Sequence, residues 1–184
     1  MKFLRTLTAV LAMALIAPAI SHAALPSVKL KDLSGKVVDT SKLSNGGKPM
    51  IISFFASWCK PCKRELSAIS EVYDDWRSET GVKLIAISID QAQNASKVKP
   101  FVDSEGWEYD ILLDPNSDFL RAMGIQQIPH MLIIDGSGNV VESRSGYTEG
   151  AEANIIKKLR AMKKGTSSTA KTATKKTTST SKKK

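Results

Sequence analysis

Residues 50–56 read Met-Ile-Ile-Ser-Phe-Phe-Ala, a nearly unbroken apolar run. A run of this kind fits a strand buried on both faces, which requires a covering layer on each side. From Lys60 the period changes. Leu66, Ile69, Val72, Tyr73 and Trp76 recur at helical spacing with charges opposite, and Gly81 closes the pattern, so a helix is expected over 60–79. The two cysteines of the chain, Cys59 and Cys62, stand at the junction in Cys59-Lys60-Pro61-Cys62. A strand that exits sharply into a helix puts the first sulfur at the helix N-terminus. Unpaired N–H groups and the helix dipole stabilise an anion there, and the thiolate is the nucleophile of disulfide exchange. Cys62, three residues on, shares the helical face and can close a disulfide with Cys59.

The rest of the chain extends this into an α/β pattern. Leu25 to Asn45 suggests a strand pair around Ser34-Gly35, and 82–89 a second buried strand. A helix is expected over 94–105 with Pro100 near its first turn, then a connector with a short strand over 107–113, then a short helix ending at Gly124. Met131 to Asp135 and Val140 to Ser145 flank a Gly-Ser-Gly-Asn turn as a hairpin, and 149–163 is a final helix with Ile155, Ile156 and Leu159 as its stripe. The expected architecture is a mixed sheet with helices on both faces.

The ends differ from this middle. Residues 1–23 have a basic start at Lys2 and Arg5, an apolar stretch from Thr6 to Ala17, and Ser21-His22-Ala23 as a cleavage site, the plan of a secretory signal peptide. The alternative is an uncleaved anchor, although the stretch is shorter than the roughly 20 residues of a membrane span. Residues 165–184 contain no large apolar residue and no acid, and are expected to be a disordered tail. Of the formal charge of +9, eight units sit at these ends. The signal and tail hold eight of the 27 basic residues, leaving nineteen against eighteen acids in a domain expected over 24–164. The high charge therefore gives no reason to expect specific nucleic-acid binding. The tail can still touch anionic surfaces electrostatically. Export to a periplasmic or similar compartment permits disulfides. Cys59–Cys62 is the one internal bridge available, and its very small loop does little for stability, so its use is catalytic.

The segment Phe54-Phe55-Ala56-Ser57-Trp58-Cys59-Lys60-Pro61-Cys62-Lys63-Arg64-Glu65 resembles the active-site segment of the thioredoxin superfamily. Gly124-Ile125-Gln126-Gln127-Ile128-Pro129 resembles the loop of that fold whose proline is cis and lies beside the cysteines. Pro129 follows Cys62 by 67 residues. This spacing, with Glu65 three residues after Cys62, is similar to the extracytoplasmic TlpA/ResA-like branch, which inserts an extra strand and helix before the cis-proline. The resemblance spans about residues 26–163. It implies a thioredoxin-like fold and a thiol–disulfide oxidoreductase, with Cys59 attacking and Cys62 resolving. It places Glu65 near the thiols as a proton-coupled group, and Trp58, Ile128 and Pro129 along the groove that receives a client. Lys60 and Pro61 lie between the thiols, where charge and a restricted first turn tune them. Ser53 departs from cytoplasmic thioredoxins, which carry a buried Asp at that place, and this leaves Glu65 as the candidate carboxylate.

The resemblance further implies protein thiol or disulfide clients, a membrane thiol-electron donor and no bound cofactor. A reductant acting as a monomer is expected, in some members of the branch on apocytochrome c or a copper-site protein. A zinc half-site is disfavoured, because outside residues 1–23 the chain adds only His130 to the two thiols and zinc takes three or four protein ligands. His130 could tune the site, and the simpler expectation is a half-buried bystander. Two other functions stay open. One is a copper-binding or chaperone-like module of the same fold. The other is a peroxiredoxin-type peroxidase, although Ala56 stands three residues before Cys59 where that chemistry uses Thr or Ser.

Overall fold

A computed structural model of the protein describes residues 25–163; the expected signal segment and tail lie outside the described residues. Seven strands form one sheet: β1 (Lys29–Asp32), β2 (Val37–Asp39), β3 (Met50–Phe55), β4 (Lys83–Ser88), β5 (Asp110–Leu113), β6 (His130–Ile134) and β7 (Val140–Ser145), in the order β2-β1-β5-β4-β3-β6-β7. β3, β4 and β5 run parallel, and the other pairings are antiparallel. All six residues of β3 are buried, as the apolar run requires.

The helices are α1 (Lys60–Ser70), α2 (Tyr73–Thr80), α3 (Ala95–Glu105), α4 (Asp118–Ala122) and α5 (152–163). The steps from β3 to β4 and from β4 to β5 move the same way across the sheet. Right-handed crossovers therefore put α1, α2 and α3 on one face. Leu66, Ile69, Trp76, Val98 and Val102 pack there with Ile51 and Phe55, joined by Ile155 and Leu159 of α5. The return from β5 to β6 reverses direction and carries α4 over the other face, where Phe119 meets Phe54, Ile52 and Leu132. The mixed sheet with helices on both faces is the expected thioredoxin-like arrangement. The strand pair β1–β2 precedes it, and the unit α3–β5 is inserted before the cis-proline.

Two local expectations change. The single helix over 60–79 is two helices. The chain breaks at Glu71–Val72, where the Val72 N–H bonds back to the Ile69 carbonyl in a tighter turn. The break aims Tyr73 inward, and its hydroxyl accepts the Leu84 N–H of β4 at 2.9 Å. Pro100 sits in the middle of α3, beyond its first turn, and the helix follows a 3-10 turn at Ala92–Asn94. Pro100 is exposed, so the carbonyl it deprives of a partner lies on the hydrated side.

At the end of the sheet opposite the cysteines, two turns meet with no room to spare. A Cβ on Gly136 would lie 2.0 Å from the Gly47 carbonyl oxygen, which is backbone and cannot rotate away. Gly136→Ala is therefore expected to cost about 1–3 kcal/mol by overpacking. Urea denaturation will show it as a lower midpoint with disulfide exchange at 25 °C unchanged; an unshifted midpoint would mean that these turns separate freely.

Candidate active site

Cys59 and Cys62 form a disulfide at the carboxyl end of β3. Cys59 is the N-cap of α1, and its Sγ accepts the Cys62 N–H at 3.3 Å. Pro61, in the first turn, lacks only a donor that would be unpaired in any case. Cys62 is wholly enclosed, whereas the neighbouring Trp58 is 65 % exposed. Lys60 is exposed. Lys63, by contrast, reaches Glu105 of α3 in an ion pair of 2.6 Å, so its charge is shared with that acid rather than left to the thiols.

The loop before the disulfide is held by a residue that the sequence reading passed over. Asp90 is buried just beyond β4. Its carboxylate accepts the Ser57 N–H at 2.8 Å, the Ser57 hydroxyl at 2.6 Å and the Ser88 hydroxyl at 2.8 Å. The Cys59 N–H then closes a turn onto Ala56 O. From the other side, Tyr109 donates its hydroxyl to Leu66 O at 2.7 Å and Trp107 its indole N–H to Ser67 at 3.2 Å, fixing α1 against the sheet. The clue to Asp90 was an acid directly after an apolar strand, at the strand end where parallel sheets build sites.

Register brings the second segment to the same end. Phe54 pairs with His130, so the Ile128–Pro129 peptide lies at the carboxyl end of β3; it is cis, as expected. Ile128 is half-buried between the two cores, Pro129 is buried, and the Pro129 carbonyl accepts the Gly146 N–H at 2.8 Å. His130 shares the face of Phe54, opposite the disulfide. Its ring nitrogens lie 2.7 Å from Ser145 Oγ and 2.9 Å from Ser143 Oγ, and burial holds its pKa below the ordinary value. With both nitrogens taken on the far face, it is no third ligand to the cysteine sulfurs.

Glu65, one turn beyond Cys62, is 1 % exposed and lies over the sheet. Ser53, Met131 and Arg144 form one cross-strand row on β3, β6 and β7. The Glu65 carboxylate bridges the row: Ser53 donates to Oε2 at 3.3 Å, and Arg144 Nη2 donates to Oε1 at 3.0 Å. Burial pushes the Glu65 carboxyl above its ordinary range; Arg144 and Ser53 pull it back, and the Glu152 charge adds to the rise.

The AhpC/TSA family profile matches residues 22–143. The chain belongs to the AhpC/TSA family. Within it, the chain is 32 % identical over 135 residues to the thiol-disulfide oxidoreductase ResA of Bacillus anthracis, covering 73 % of this chain and 75 % of that protein. A thioredoxin-like protein from Porphyromonas gingivalis is 61 % identical, with a TM-score of 0.70 over 78 % of this chain and 94 % of the other. StoA from Bacillus subtilis shares the fold at 23 % identity, with a TM-score of 0.56 over 73 % of this chain and 98 % of the other. The protein is a thiol–disulfide oxidoreductase of the ResA type, with a thioredoxin-like fold. Among the described residues no helix is long and apolar enough to cross a membrane.

The raised Glu65 pKa has a sign in stability. Between the ordinary carboxyl value of 4.5 and the higher native one, the folded protein binds more protons than the unfolded chain. Stability from this group is therefore complete below that window and falls as pH rises through it. The stability of the oxidised wild type minus that of Glu65→Gln is expected to decline as pH rises above about 4.5, and to level off once the native carboxyl has ionised. Urea titrations across that range check it, and a difference that grows with pH would place the native pKa on the other side.

Proposed function

We propose that this oxidoreductase is exported and works as a reductant of protein disulfides. The observation that carries the reading is the asymmetry of the pair: Cys59 caps the helix and keeps a 6 % exposed edge beside an exposed Trp58, while Cys62 is sealed and followed one turn later by a buried carboxylate. The amide that meets Cys59 Sγ in the disulfide would meet its thiolate after reduction and favour it. The Cys59 thiolate attacks a sulfur of the client disulfide, forming a mixed disulfide and releasing one client thiolate. Cys62 then gives its proton to Glu65 and attacks Cys59 Sγ, releasing the second client thiolate and leaving the Cys59–Cys62 disulfide. Two electrons pass to the client, and a dithiol donor at the membrane restores the reduced pair.

Trp58, Ile128 and Pro129 would border the client groove, with the Ile128 backbone pairing to an extended client segment as an added strand. Lys60 adds positive charge beside Cys59 and Pro61 restricts the turn between the thiols. Apocytochrome c is one client that suits an exported reductant of this type. The signal-like segment at 1–23 supports export, and the basic tail at 165–184 would rest against anionic surfaces. The protein would act as a monomer without a bound cofactor. A peroxiredoxin-type peroxidase is the weaker reading, because Ala56 and Cys59 stand three residues before the two thiols, where that chemistry needs a hydroxyl.

Cys62→Ser is expected to accumulate mixed disulfides with clients through Cys59, and Cys59→Ser to accumulate none; equal trapping by both would reverse the roles. Equilibration in thiol buffers should give a potential nearer thioredoxin's, about −270 mV, than the roughly −120 mV of a strong oxidant. A value at the oxidising end would overturn the reductant assignment.

A further inference from the structure

The buried row beneath α1 contains a charge that the exchange chemistry above leaves unused. Arg144 sits on the edge strand β7, opposite Met131, and is 22 % exposed along its side chain. Its guanidinium passes the Met131 thioether, with Nη2 3.7 Å from Sδ, to reach Glu65 Oε1 at 3.0 Å. Arg144 Nε is buried with no hydrogen-bond partner. A side chain kept for stability alone is poorly served by this arrangement. An unsatisfied buried donor is costly, and an apolar residue in place of a buried ion pair is often neutral or better.

We propose that Arg144 is the positioning residue of the proton-accepting site: from the edge strand it holds the Glu65 carboxylate against Ser53 as an anion, and so sets the lowest pH at which Cys62 can be deprotonated and attack. The inference rests on the assignment of Glu65 as proton acceptor made above. The groups facing Glu65 are few. Ser53 of β3 donates a hydrogen bond, Cys62 lies one turn back on α1, and Arg144 of β7 supplies positive charge. Against it stand Glu152 of α5, which repels the carboxylate, and Tyr147, whose hydroxyl donates to Glu152 at 2.8 Å and whose own ionisation Glu65 opposes. Among the described residues Arg144 is the one cation hydrogen-bonded to Glu65, and it works against burial and Glu152, which still leave the carboxyl above its ordinary range. Without it the carboxylate would hold its proton to higher pH and could not take the one on Cys62.

The test uses the reduced protein and an aromatic disulfide whose released thiolate is coloured. Attack by Cys59 releases the first thiolate; attack by Cys62 on Cys59 Sγ releases the second. Stopped-flow traces resolve the two phases across pH. Arg144→Gln should leave the first phase in place and move the acid limb of the second upward by about one pH unit or more, a slowing of roughly ten-fold at a pH on that limb. Arg144→Lys, which keeps the charge, should move it less than half as far. Arg144→Met serves in the same way if the Gln variant does not fold. Glu65→Gln should abolish the limb, and Arg144→Gln added to it should shift nothing further. A limb that stays in Glu65→Gln overturns the Glu65 assignment and this inference with it. A limb that vanishes in Glu65→Gln yet stays put in Arg144→Gln overturns this inference alone, as does an equal shift in the Lys and Gln variants.

Discussion

β3 has no solvent-facing side, and this dictates its surroundings. Its six residues are enclosed, with β4 parallel along one edge and β6 antiparallel along the other. Side chains alternate across the strand, so Ile51 and Phe55 seed one core while Ile52 and Phe54 seed the other. A strand of this kind must be central and covered twice. The two successive crossovers, from β3 to β4 and from β4 to β5, can cover only one face. The return past it to β6 covers the second. The site then forms where the chain leaves this strand, at the one end where a helix N-terminus, the cis-proline turn and the turn after β4 converge.

That position explains why the reactive group is a pair of unlike sulfurs. The sulfur at the N-cap takes a helix amide, and the one a turn later is inside the protein. Asp90 makes the exit rigid by holding both the Ser57 amide and the Ser57 hydroxyl, so the N-cap geometry does not depend on the disulfide alone. Two bonds to one buried carboxylate restrain this short loop independently of the disulfide.

The sequence disclosed what depends on neighbours along the chain. The buried strands, the junction at Cys59, the hairpin after Met131 and the cis peptide before Pro129 all follow from local pattern or from motif. The break at Val72 did not show, because Tyr73 and Trp76 keep the helical phase closely enough for one amphipathic stripe to describe two helices. Pro100 was expected nearer the first turn because proline is best tolerated there, whereas its exposed site in α3 lets water take the unpaired carbonyl. Asp90 and Arg144 escaped because their roles are set by register between strands: Ser57 meets Asp90 33 residues away, and Glu65 meets Arg144 79 residues away. On β7, Arg144 reads as one more polar residue of an edge strand, and only the pairing of Met131 with both Ser53 and Arg144 reveals the row.

The exchange of a strand carboxylate for Ser53 and Glu65 changes more than the residue that carries the charge. The Glu65 carboxylate hangs from α1, the helix that also bears both sulfurs. Any small shift of that helix moves donor and acceptor together, so their spacing does not depend on how the helix sits on the sheet. Its bonding partners remain on the sheet, one at the centre and one at the edge. Movement of α1 over the sheet therefore alters the stabilisation of the carboxylate before it alters the approach of the thiol. In the proposed mechanism, the helix–sheet seam would set the charge on Glu65, and proton transfer would be set within the helix. A site built this way separates the tuning of its acid from the geometry of its chemistry.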